Sequence, residues 1–205
     1  MAFSFFSNFS KKAGGEIAYY KLNDWWKNTL TSEERNIIRS TYKPLNSNCK
    51  IDEGVIQSSS QSKLSYLSSL TGWFKKKEHY ELAVKIINEG EKSIPQSDNI
   101  LDVHFFFQSA INIFYSRRND DNNALDISIE YCKKQIDISK KVKKAFLKEY
   151  PNSPLPTHIG YKQLAIIYEK QKKFDEALKI TKKALAEGWN IEDCNNRIEK
   201  LNKKI

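Results

Sequence analysis

Three alanines, Ala83, Ala124 and Ala177, stand at matching places in three otherwise dissimilar segments, and the residues at fixed distances from them constrain this 205-residue chain most. Thirteen positions before them stand Leu70, Ile111 and Leu164, and nine before them Phe74, Tyr115 and Tyr168. Three before come Tyr80, Asp121 and Phe174, and seven after come Gly90, Tyr131 and Ala184. A small residue lets two helices approach closely, and a bulky or aromatic residue on the facing helix fills the space above it. The spacing therefore predicts helical hairpins, with the residue before each anchor wedging the turn. One hairpin leaves a face uncovered, so neighbours must stack. The first and third segments follow both outer rules, and the middle one departs with Asp121 and Tyr131.

Composition agrees with an all-α chain. Hydrophobic residues make up 40% of the sequence, which argues against disorder, and seven Gly with five Pro leave long runs uninterrupted. Neither residue occurs from 122 to 150, where Leu125, Ile129, Cys132, Ile136, Val142, Phe146 and Tyr150 keep helical spacing. One long or gently kinked helix is expected there, ending at "PNSPLP".

The series of Leu, aromatic, aromatic, Ala and small residue resembles the tetratricopeptide repeat, most clearly at Leu164, Ala165, Tyr168, Phe174, Ala177 and Ala184. The likeness is good over 157 to 189, fair over 64 to 95 through Leu67, Leu70, Phe74, Tyr80, Ala83 and Pro95, and weak over 104 to 136. The segment from "SPLPTHIGYKQLAIIYEKQ" onward is also similar to bacterial tetratricopeptide proteins that carry a long preceding helix. The anchors lie 41 and 53 residues apart, against about 34 for a regular repeat. The resemblance implies a short right-handed α-solenoid of about three irregular hairpins, with an N-terminal helical extension.

Three regions are expected. Residues 1–44 form the aromatic-rich extension, in which Thr31 and Glu34 make a capping box and Pro44 ends the helix. Residues 45–62, polar and Ser-rich, read as a linker, and 63–205 as the repeat domain. Trp25 and Trp26 beside Tyr19 and Tyr20 offer either an aromatic cage or a cap on the end of the helical stack, and the cap is the plainer reading.

Enzymatic function is disfavoured. His79, His104 and His158 are scattered, without a Cys or carboxylate at a spacing that marks a nucleophile pair or metal clasp, and no Gly-rich phosphate loop occurs. No catalytic residue, cofactor or metal is expected. Cys49, Cys132 and Cys194 are spaced for neither zinc nor a disulfide framework, which fits a reduced, cytoplasmic setting. No apolar run approaches transmembrane length. The net charge is +9, concentrated in residues 137–205, but 29 lysines against 5 arginines read as a solvated surface rather than specific nucleic-acid readout.

Protein binding is the expected function, with a peptide or helix of a partner, an acidic one if the lysine surplus takes part, held in a groove. In the family that this chain resembles, first helices line the concave groove. By that resemblance Lys75 and Lys76 would face it from the first hairpin, Phe106, Ser109, Ile113, Ser116 and Arg117 from the second, and Lys162, Ile166, Glu169 and Lys170 from the third. Ser68 and Gly72 stand where some relatives place the Lys and Asn that clamp a terminal carboxylate, so that clamp is not expected. Two alternatives stand beside this: a membrane-surface adaptor using residues 1–12, and nonspecific nucleic-acid binding through the basic C-terminal half.

Overall fold

A computed structural model of the chain describes residues 12–44 and 50–205, and every regular element among them is helical. The suggested membrane contact, apart from Lys12, and residues 45–49 of the expected linker lie outside the described residues. Among those described, no helix is long and apolar enough to cross a membrane. The chain forms two compact units, Met1–Gln61 and Ser62–Ile205.

The first unit is built from α1 (Gly15–Tyr19), a π-helical turn over Trp25–Thr29, and α2 (Ser32–Thr41). Its entry is set by glycine. Gly15 adopts φ +53°, and a Cβ there would lie 2.5 Å from the Ile51 carbonyl oxygen. That close approach lets Gly14 and Gly15 donate backbone hydrogen bonds to the Asp52 and Gly54 carbonyls at 2.7 and 2.9 Å. Thr31 caps α2, its hydroxyl accepting from Glu34 N at 3.1 Å while Thr31 N donates to the Glu34 carboxylate at 2.8 Å. Trp25 and Trp26 are buried with Ile17, Leu22 and Ile38 in this unit's core, so they form no open cage. Tyr19 stays half-exposed, its hydroxyl accepting from Ser59 N at 3.0 Å.

The second unit holds eight α-helices: α3 (Lys63–Thr71), α4 (Tyr80–Glu91), α5 (Ile100–Ser116), α6 (Ala124–Asp137), α7 (Ser139–Glu149), α8 (Ile159–Lys170), α9 (Phe174–Ala186) and α10 (Ile191–Asn202). They pack as the pairs α3 with α4, α5 with α6 and α8 with α9. Each pair also packs on the next, through α3 and α4 against α5 and through α5 and α6 against α8, and α10 lies on α9. The three anchor alanines are fully buried, as are Leu70, Ile111 and Leu164. Gly90 sits so close to the Phe106 ring that an added Cβ would come within 2.3 Å of it. Here the smallest residue allows the closest approach.

The middle pair shows why its sequence departs. Asp121 replaces the aromatic wedge with a polar tether: it accepts from the Tyr80 hydroxyl at 2.7 Å and from Asn123 N at 2.9 Å at the start of α6. Tyr131, in place of a small residue, stacks on Phe114 with centroids 5.7 Å apart and planes at 14°. Gln135 is fully buried and joins three helices, donating to the His104 carbonyl at 2.9 Å and accepting from Gly160 N at 2.6 Å.

The helix expected over 122–150 is two helices. It breaks at Ile138 with no Gly or Pro, because α7 turns to pack on α5. Val142 and Phe146 are buried, and Phe146 meets Phe105 and His104 edge-on at 5.9 and 5.8 Å. The buried Ser139 hydroxyl, at the break, donates to Glu187 at 2.6 Å. Continued straight, the helix would lose these contacts.

Candidate functional site

The bend of α7 leaves a cleft of about 480 Å³ against the first half of α5, closed at one side by the chain from Tyr150 to Pro156 and reached by Ser65 of α3. Its walls are aromatic. Phe105 is 42% exposed and Tyr150 49%, with Phe146 between them, 5.9 Å from the first ring and 6.4 Å from the second. Its charged groups are two carboxylates, Asp102 and Glu149.

Local sequence positions each of these. Asn99 caps α5, its side-chain oxygen accepting from Leu101 N at 2.9 Å. Asp102 then falls in the first turn, where a carboxylate favours the positive end of the helix. It accepts from the Ser62 hydroxyl at 2.7 Å, and that hydroxyl accepts in turn from Ser65 N at 3.0 Å, which ties the carboxylate to the start of α3. Glu149 is the last residue of α7, and Tyr150 ends the helix with φ −130° and ψ 66°.

Behind the cleft lies a closed aromatic cluster. The His104 and His158 rings are 5.1 Å apart, Trp189 lies 4.9 Å from His158, and all three are fully buried. Burial pulls His104 down to about 4. Burial, with the neighbouring His104, pulls His158 down to about 3. His158 also caps α8, its Nδ1 accepting from Tyr161 N at 3.4 Å. Asn190, at φ 48°, clasps the same residue from both sides, accepting from His158 N at 2.9 Å and donating to its carbonyl at 3.3 Å. The Pro-rich wall of the cleft is thereby fixed at its far end.

Comparison with protein-family models, with curated proteins and with solved structures finds no match for this chain.

The residues expected to line a groove do not share one surface. Phe106 and Ile113 are 1% and 3% exposed and belong to the core, which corrects their assignment. The open face of α5 runs instead through Phe105, Asn112 and Ser116. Ser109 is half-buried, its hydroxyl 3.0 Å from that of Ser68. Lys75 and Lys76 are exposed, and Arg117 meets this turn by donating to the Lys75 carbonyl at 3.3 Å. Arg117 is also paired with Asp120 at 3.5 Å, and Asp120 takes Lys77 at 3.1 Å, so one carboxylate offsets part of the positive charge of this turn. Lys162 and Ile166 are half-buried on α8. Glu169 is ion-paired with Arg197 of α10, which removes it from a free surface.

Lys170 stands elsewhere, 5.8 Å from the Tyr115 ring centroid with Arg118 at 4.3 Å, beside a second recess of about 330 Å³. The cleft residues Asp102, Phe105, Glu149 and Tyr150 were not legible as a group. One signal existed: counting back from the polar Asn112 and Ser116 by helical steps selects Phe105, rather than Phe106, as the outward ring of "HFFFQ".

Proposed function

We propose that the chain is a protein-interaction module of the tetratricopeptide type, in which the three helix pairs stack as a short right-handed solenoid closed by α10. The successive packing of one pair on the next supports this reading, as does burial of the alanine anchors. The cleft between α5 and α7 seats a segment of a partner protein. The observation that carries this is the pair of large, half-exposed rings, Phe105 and Tyr150, facing a cleft of about 480 Å³. Exposed aromatics on a rigid frame are the usual anchors of binding, because burying them on association releases much apolar surface and freezes few torsions. A binding role rather than catalysis fits the protonated thiol of Cys132, pushed up to about 12 by burial, and the two neutral, enclosed imidazoles. Buried free thiols at Cys132 and Cys194 fit a cytoplasmic setting.

The test is selection of peptides from a displayed library on the full chain, followed by affinity measurement with Phe105→Ala/Tyr150→Ala. Losing two anchors should weaken binding at least about ten-fold, with helicity and melting little changed, since both rings are half outside the core. Selected peptides that bind the double variant as tightly as the parent would refute the cleft as the site.

A further inference from the structure

We infer that the cleft recognises a cationic side chain, a lysine or arginine presented by an extended segment of the partner protein. This rests on the cleft being the binding site and adds the chemistry that it selects. The chain carries 34 basic and 25 acidic residues, yet no Lys, Arg or His lines this cleft, whose charges are Asp102 and Glu149. The recess beside Tyr115 is lined by Arg118 and Lys170 instead, so the two recesses differ in charge.

Three features suit a cation together. Neither carboxylate is ion-paired with a basic side chain in any bridge among the described residues. Asp102 is held in place through Ser62, so it need not be ordered on binding. Glu149 ends α7, where unpaired backbone carbonyls add negative potential. The positive end of α5 opposes this, but Asn99 takes one of its free N–H groups and Asp102 offsets its charge. Phe105 and Tyr150 then offer ring faces on which a guanidinium or ammonium gains a cation–π contact. Leu155 and the flanking Pro154 and Pro156 provide apolar surface for the methylene stem.

The experiment is an NMR titration of the isotope-labelled full chain with four blocked peptides, Ac-AARAA-NH2 and its Lys, Gln and Glu counterparts, at low and high salt. The Arg and Lys peptides should shift the amides of Asp102, Phe105, Glu149 and Tyr150 and bind about ten-fold tighter than the Gln peptide. Salt should erase most of that preference. Glu149→Gln, at an exposed helix end, should bring the Arg peptide down to the level of the Gln peptide, and Asp102→Asn should do the same if it folds. Equal binding of the Gln, Glu and Arg peptides at these amides would overturn the cation inference and leave the cleft standing. Shifts from the Arg peptide that centre elsewhere, with library-selected peptides unaffected by Phe105→Ala/Tyr150→Ala, would overturn both.

Discussion

His104 and His158 are the residues whose surroundings ask most of the fold. Each imidazole is enclosed, and the rings that face them are Phe105, Phe146, Tyr161 and Trp189, with no acidic side chain among them. Both nitrogens of His104, Nε2 of His158 and Nε1 of Trp189 have no hydrogen-bond partner among the described residues. Burial therefore favours the neutral ring, and the folded values drop from 6.5 to about 4 and about 3. In the unfolded chain both would take up protons below pH 6.5 that the folded chain refuses. Their contribution is thus complete above pH 6.5 and is lost as pH falls from there through about 4 for His104 and about 3 for His158, each histidine weakening stability by up to about 1.4 kcal/mol per pH unit. The urea midpoint should drop across that window, and His104→Phe should flatten the drop. Parallel pH profiles for the parent and His104→Phe would show that His104 is not a source.

At the scale of elements, the helix pairs were legible because their cause is local. A small residue facing a bulky one at fixed spacing needs no other part of the chain to be understood, and Ala83, Ala124 and Ala177 lie in the core where that spacing puts them. The capping box at Thr31 was legible for the same reason. The break at Ile138 was not. No residue there forbids a helix, and its cause lies 33 and 34 residues back in α5, whose Phe105 and His104 receive Phe146. The outward ring was missed by one position because the three consecutive Phe residues give no polarity contrast among themselves, and only the polar positions Asn112 and Ser116 further along α5 mark Phe105. Element α7 accordingly has its own test. Phe146→Ala should cost about 3–5 kcal/mol. In native-state hydrogen exchange it should release the amides of α7 and the chain to His158 while α3 and α4 keep their protection. A uniform loss of protection across the second unit would contradict separate docking of α7.

At the scale of the whole molecule, each of the two units carries its own buried core, and the second combines stacked helix pairs with one helix that departs from the pattern. That departure creates the candidate site. Without the bend, the outward ring of α5 would face open solvent; with it, Phe105 gains Phe146 and Tyr150 as neighbours and a proline-bearing wall. Charge is uneven as well, since the surplus of basic residues lies mostly in 137–205 while the charged groups that line the cleft are two carboxylates. A basic chain with an acidic, aromatic cleft is better suited to hold a cationic segment of a partner than the acidic partner that net charge alone suggests. The most direct measurement is photo-crosslinking in the native cells, with p-benzoylphenylalanine placed at Leu155 on the cleft wall or at Ile191, exposed on α10. We expect a discrete protein adduct from Leu155 that disappears with Phe105→Ala/Tyr150→Ala and is not formed from Ile191. An adduct from Leu155 that survives the double substitution, or the same adduct from Ile191 alone, would contradict the assignment of the cleft as the binding site.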